Sequence, residues 1–254
     1  MANFWNRRLS MAAAIALGLA GAGVGAGTAM AAAGAGGGQP ANRAEIEAIV
    51  RDYILSHPEI IPEAVARLEQ AEGRKALAAN RQTLETPFPG AVAGNPQGDV
   101  KLVVFFDYAC PYCKQGHADV QKLVQGDPKL MVIYKDFPVL SPASTEAAMA
   151  SLSAATQGAY GKFHNAMFDS PGRVSLARTM GIVKGVGLSE DKVTADLKNA
   201  ALRAELDRNL ALGRALGLTG TPSYIVGDRI LSGAVGYDQL KAAVAAARAE
   251  KAKA

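Results

Sequence analysis

Cysteine is the scarcest informative residue in this chain, with two in 254 positions, Cys110 and Cys113. A small secreted domain stapled by disulfides carries more, spread along its length, so that class is excluded. Histidine is nearly as rare: His57, His117 and His164 are the three. Without a second Cys pair, a four-thiolate zinc centre is excluded too. Charge of one sign never gathers. The 27 Lys and Arg and the 23 Asp and Glu are interspersed, the net charge is +4, and no basic block offers a nucleic-acid surface. The apolar run Leu9 to Ala20 is short for a membrane span, and glycines break the stretch beyond it. Nothing in the pattern marks a nucleotide site or an organic cofactor.

The N-terminus carries an address. Arg7 and Arg8 precede the apolar run, and Ala29-Met30-Ala31 gives the small-x-small pattern of a cleavage site. Residues 1–31 are therefore expected to be a signal peptide, and secretion by a bacterium-like cell implies the periplasm, an oxidising compartment. A Gly/Ala-rich stretch extends to Pro40. Ile46, Ile49, Val50, Tyr53 and Ile54 then recur at helical spacing, which predicts a helix over about 43–56. Ile60, Ile61, Val65 and Leu68 predict a second, from about Pro58 to Leu84. Residues 42–85 are thus read as an N-terminal helical oligomerisation segment. Its apolar faces need either the main domain or another copy of the chain, and self-association is the preferred reading. Residues 86–99, rich in proline and glycine, are read as a linker.

The main domain, 100–250, opens on the apolar run Leu102-Val103-Val104-Phe105-Phe106, as expected of a strand buried on both faces. A helix is predicted from the cysteines to about Gln125, and a second strand over Leu130 to Tyr134. Strand, helix and strand together imply a parallel pair with a right-handed crossover. The pattern from about 144 to 216 is helical, with Ser189 and Lys192 marking one helix start. Ser223 to Val226 and Arg229 to Leu231, joined by Gly227-Asp228, read as a hairpin, and a last helix begins at about Tyr237. The fold class is α/β: a thioredoxin-like fold with an inserted helical domain, preceded by the N-terminal helical segment.

The chemistry is in the cysteine pair. Pro111 suits the first position of a helix, which places the Cys110 sulfur beside the unpaired N–H groups of the helix start. Those groups and the helix dipole favour negative charge, and the thiolate is the nucleophile in exchange. Cys113, one turn on, lies on the same face, where it can attack a mixed disulfide at Cys110 and release the product. A purely structural disulfide is a poor alternative, because so small a loop constrains little of the unfolded chain. Half of a zinc site, with His117 as third ligand, is another alternative, although on its own His117 reads as a surface or satisfied helix residue. Copper(I) on the two thiolates is a further one. Gly220-Thr221-Pro222 stands before a strand; base rates make its proline trans, a strand cap.

The run Phe105-Phe106-Asp107-Tyr108-Ala109-Cys110-Pro111-Tyr112-Cys113, the helical insertion and Gly220-Thr221-Pro222 before a hairpin together resemble the DsbA-like branch of the thioredoxin fold. Phe163-His164 and Phe168 in the insertion also look like that family. The segment Tyr53-Ile54-Leu55-Ser56-His57-Pro58-Glu59-Ile60-Ile61-Pro62-Glu63 resembles the N-terminal region of the ScsC suppressor-of-copper-sensitivity group, where it tends to drive oligomerisation. The resemblance implies a nucleophilic Cys110, a resolving Cys113, and active-site support from Pro111, Tyr112, Thr221 and a cis Pro222. It implies that the Thr221 backbone pairs with an extended client. Many relatives carry a buried glutamate six residues before the nucleophile; here that position is Val104. Asp107, Lys135 and Asp136 are the substitutes in sight, each otherwise a solvated charge at a strand end.

The expected function is disulfide exchange on unfolded or misoxidised secreted proteins, as an isomerase or reductase working as a homo-oligomer, a dimer or trimer. A membrane redox partner and no cofactor beyond the redox-active disulfide are expected. The alternatives are a copper(I)-binding or copper-relay protein using Cys110 and Cys113, and a monomeric DsbA-like oxidase.

Overall fold

The computed structural model describes residues 42–253. The signal peptide expected over 1–31 lies outside them. The chain divides into two units, the first ending at Ser56 and the second beginning at His57.

The described part of the first unit is one helix, α1 (Arg43–Ser56), with none of its residues buried. Ile46, Ile49, Val50, Tyr53 and Leu55 are all exposed.

The second unit opens with α2 (Ile60–Glu85) and continues through β1 (Val92–Gly94), β2 (Val100–Phe106), α3 (Pro111–Gly126) and β3 (Leu130–Asp136). Five helices come next: α4 (Pro142–Thr156), α5 (Tyr160–Asp169), α6 (Leu176–Gly185), α7 (Glu190–Asp196) and α8 (Ala200–Ala215). The hairpin β4 (Ser223–Val226) and β5 (Arg229–Ser232) and the helix α9 (Tyr237–Lys251) complete it. Among the described residues no helix is long and apolar enough to cross a membrane.

The sheet order is β1-β3-β2-β4-β5. β2 and β3 are parallel, with Val103 opposite Ile133, and the other pairs are antiparallel. The unbroken apolar run of β2 has a simple cause: side chains alternate between two covered faces. Leu102, Val104 and Phe106 pack on one face with Cys113, Val120 and Leu123 of α3 and Leu240 and Val244 of α9. Val103 and Phe105 pack on the other with Leu212 of α8 and with Leu77 and Leu84 of α2. The insertion, α4 to α8, is closed by side-chain caps. Ser141, Ser175 and Ser189 accept from the third residue onward, and Asn199 accepts from Ala201 and Leu202.

Two expectations about the N-terminal half need correction. Residues 86–99 are more than a linker: β1 lies within them and pairs antiparallel with β3 as an edge strand. The prolines of this stretch, Pro87, Pro89 and Pro96, all lie outside β1 and remove no ladder donor from it, and an edge strand needs ladder bonds on one side only. The helical segment 42–85 also does not behave as one separable piece. Leu77 and Leu84 are 1% exposed and complete the core against β2 and β3 of the same chain. Burying each is worth roughly 1.5–3 kcal/mol. The prominent spacing of Ile60 to Leu68 masks this second apolar stripe further along the same helix.

Candidate active site

The site is built where β2 ends. Phe106 is the last strand residue, and the turn Asp107-Tyr108-Ala109 leads to Cys110, whose N–H donates to the Asp107 carbonyl at 3.0 Å. Cys110 is the N-cap of α3 in extended conformation, and Pro111 occupies the first helical position. The Cys110 carbonyl accepts from the N–H groups of Cys113 and Lys114 at 3.1 and 3.3 Å. Asp107 holds the turn. Its carboxylate accepts from the N–H of Ala109 at 2.8 Å and from Val139 and Leu140 at 3.0 Å each, which ties the loop after β3 to the active-site turn.

The two cysteines are both reduced thiols, yet their surroundings differ. Cys110 lines an open groove of about 550 Å³, with Pro111 and Lys114 on its own side and Met167, Phe168 and Arg173 opposite. Its Sγ donates to the Thr221 carbonyl at 3.2 Å, and the Thr221-Pro222 bond is cis. Tyr112, beside it, is 63% exposed. Cys113 faces inward, and burial pushes its thiol well above the ordinary range. The structure therefore brings Cys110, Pro111, Tyr112, Cys113, Thr221 and Pro222 into one place. Base rates alone give the wrong isomer for Pro222; the family resemblance gives the right one.

The groove's far wall comes from the insertion, α5 and the loop after it. Arg178 braces this wall, donating to the carbonyls of Met167, Ser170 and Pro171 at 2.8–3.0 Å. Sequence reasoning singles out Phe168 but not Met167, Arg173 or Arg178; no local pattern shows that a distant loop of the insertion returns to the cysteines.

Behind Cys113 lies a second, much smaller cavity of about 10 Å³, lined by Val104, Cys113, His117, Tyr134, His164 and Tyr224 among others. Gly116 also lines it, and a Cβ there would strike the Tyr224 hydroxyl, so the Tyr224 ring can reach α3 in this position only because residue 116 is glycine. His117 needs correction: it is 8% exposed, stacks on Phe168, and its buried Nδ1 has no hydrogen-bond partner. Burial lowers its pKa, opposed by the charge of Asp169. His164 is deeper still, with Nδ1 3.0 Å from the Tyr108 hydroxyl, and burial lowers its pKa further.

The three substitutes for the missing glutamate are not solvated charges. Asp107 is 1% exposed, with its oxygens taken by backbone N–H groups. Lys135 is buried and donates to the Thr86 carbonyl. Asp136 is buried and accepts from Ser151, and burial raises its pKa well above the ordinary carboxylate value. None of the three lines the cavity behind Cys113. Among the described residues no group of three or more His, Cys, Asp or Glu is placed to hold a metal ion, so His117 does not complete a zinc site with the cysteines.

A mixed sheet with a dithiol at a helix start and a cis-proline loop against the first sulfur defines a thioredoxin-like thiol–disulfide fold. The chain belongs to the DsbA-like thioredoxin domain family, whose model matches residues 101–245, and residues 42–74 match the N-terminal domain of the copper resistance protein ScsC. Among solved structures, a thioredoxin-like oxidoreductase from Silicibacter pomeroyi DSS-3 is 39% identical, with 66% of this chain and 98% of that one covered and a TM-score of 0.64. A linker-deletion mutant of Proteus mirabilis ScsC is 32% identical, over 84% of this chain and 97% of that one, with a TM-score of 0.69. Curated relatives include a Na(+)/H(+) antiporter NhaA of Salinispora arenicola, 25% identical over 158 residues. That match covers 61% of this chain and only 24% of the antiporter.

Proposed function

We propose that this protein is a periplasmic thiol–disulfide oxidoreductase that acts on secreted proteins through Cys110 and Cys113. The observation that carries the reading is what each sulfur-bearing residue faces: both are buried, but Cys110, at a helix start, lines the open groove, and Cys113, one turn on, lines the small cavity behind it. In the reducing direction, the Cys110 thiolate attacks a client disulfide. A Cys110–client bond forms, and the other client sulfur leaves with the electron pair. Cys113 then attacks Cys110, the internal disulfide forms, and the second client sulfur leaves reduced. The reverse sequence donates a disulfide. In this reading exposed Tyr112 and the Thr221 backbone, whose carbonyl accepts from the Cys110 sulfur, contact the client chain.

The isomerase or reductase role, and a homo-oligomer of two or three chains, form the finer part of the proposal. The ScsC-type segment and the exposed apolar residues of α1 support it. A membrane redox partner would reset the pair. The direction depends on the pair's reduction potential relative to the compartment. The test is refolding of scrambled ribonuclease by the mature protein, alongside its Cys110→Ala and Cys113→Ala variants. Loss of activity in the first and a trapped client adduct in the second are expected. Full activity of Cys110→Ala overturns the reading.

A second reading is kept because the N-terminal match is to a copper resistance protein: copper(I) held by the reduced thiolates of Cys110 and Cys113. Copper(I) competition with a chromogenic chelator tests it, and unchanged binding after both cysteines are replaced removes it.

A further inference from the structure

Cys113 must lose a proton when it closes on Cys110, and the site has to say where that proton goes. No carboxylate lines the space behind the sulfur; on the β2 side Val104 stands there. The cavity has room for about one water. Two residues that line it with Cys113, His117 and Tyr134, each carry a buried polar atom with no hydrogen-bond partner, the Nδ1 and the hydroxyl. Unpartnered buried polar atoms are uncommon, and a water-sized space lined by two residues that carry them is a place where one water can be held.

We propose that His117 takes the proton of Cys113, passed from Sγ to the imidazole Nδ1 through one water held between His117 and the Tyr134 hydroxyl. This rests on the exchange reading above and deepens it. His117 sits four residues after Cys113 on the same face of α3, so one helix fixes both ends of the relay. In the resolving step the Cys113 S–H bond breaks and the proton reaches Nδ1. The Cys113–Cys110 bond forms, the Cys110–client bond breaks, and the client sulfur leaves with its electron pair. In the reverse step the same proton returns to Cys113 as it leaves. Burial penalises a lone thiolate and a lone imidazolium, but the two arise together and attract each other across a short, poorly screened distance. The relay needs the Nε2–H tautomer of neutral His117. The titratable groups facing that ring are Cys113 on α3, His164 and Asp169 on α5, Tyr134 on β3 and Tyr224 on β4. Because His117 acts through the water, it is a positioning residue for the proton and does not touch the client.

Stopped-flow reaction of the reduced full chain with Ellman's disulfide separates the two sulfurs. Attack by Cys110 releases the first thionitrobenzoate, and closure by Cys113 releases the second. His117→Gln is expected to leave the first phase unchanged and to slow the second about tenfold or more near neutral pH. The residual second phase should rise in proportion to hydroxide, whereas in the wild type it levels off once His117 is neutral. A second phase with wild-type rate and pH profile in His117→Gln overturns the relay and leaves the exchange reading standing. A wild-type protein in which Cys110 shows no fast first phase overturns both. An independent check needs no variant. Nitrogen-15 shifts of the reduced wild-type protein should show His117 protonated at Nε2 with Nδ1 as acceptor, and a proton on Nδ1 at neutral pH overturns the proposal.

Discussion

The Cys110 sulfur touches the main-chain carbonyl of Thr221, 111 residues away in sequence, at 3.2 Å. The contact is to backbone, so it fixes where the loop before β4 lies and asks little of the threonine side chain. Thr221→Ala should therefore keep exchange activity within about fivefold, whereas Cys110→Ser should abolish it. The same geometry predicts selective alkylation, because Cys110 lines the groove and Cys113 does not. Mass mapping after brief iodoacetamide treatment of the reduced protein should find Cys110 modified first. Equal labelling of both thiols, or a Thr221→Ala variant as inactive as Cys110→Ser, contradicts this placement.

Leu77 and Leu84 give α2 a role inside the domain. Both are 1% exposed and pack with Val103, Phe105 and Ile133. Leu77→Ala or Leu84→Ala should cost about 2–5 kcal/mol, the usual range for emptying a buried leucine site. Urea unfolding measures it. A chain shortened to begin near Thr86 should be less stable for the same reason. Leucine-to-alanine costs below about 0.5 kcal/mol would mean that α2 detaches in solution.

Legibility in the sequence depends on the range of the contacts involved. The cysteine pair, the helix start at Pro111 and the two-faced strand β2 are local patterns, and they read correctly because period and capping are set by neighbours. The cap at Ser189, which accepts from the Lys192 N–H at 3.2 Å, is visible for the same reason. Features set by distant contacts escape. β1 is three residues of an edge strand inside a proline-rich stretch, and only β3 makes it a strand. His117 shares the helical spacing of Cys113, Val120 and Leu123, yet as a lone histidine it reads as a surface or satisfied helix residue. Its burial depends on Phe168 and His164, brought over by the insertion. Lys135 and Asp136 look solvated at a strand end until the chain around them folds. The resemblance supplies the cis proline, which no local rule favours.

The exposed apolar side chains of α1 are the place to test self-association. Ile49 is 66% and Leu55 68% exposed, and among the described residues no other side chain covers them to the burial expected of apolar groups. Ile49→Asp with Val50→Asp should reduce the mass measured by light scattering to that of one chain. Catalysis with Ellman's disulfide should be unchanged, since Cys110 and Cys113 belong to the other unit. A wild-type protein that already runs as a monomer removes the oligomer and favours the simple oxidase.

Asp136 makes the stability of the second unit depend on pH in an identifiable direction. Burial, with Glu205 and Asp107 adding like charge, raises its pKa, while Ser151 donates to one oxygen and the other has no partner. Above the ordinary carboxylate value the unfolded chain gives up this proton and the folded chain keeps it. The folded state then binds more protons, so stability falls as pH rises from about 4 toward the folded value, by up to roughly 1.4 kcal/mol per pH unit. His117 and His164 act the other way. Their folded pKa values are lowered, so they reduce stability only as pH falls below about 6.5. The wild-type curve mixes the two, but the difference between Asp136→Asn and wild type isolates the acid. That difference should shift in favour of the variant as the solution is taken from about pH 4 to pH 8, read by urea unfolding at each step. A difference independent of pH would mean that Asp136 ionises as freely in the folded protein as in the unfolded chain, and that its burial is relieved by solvent.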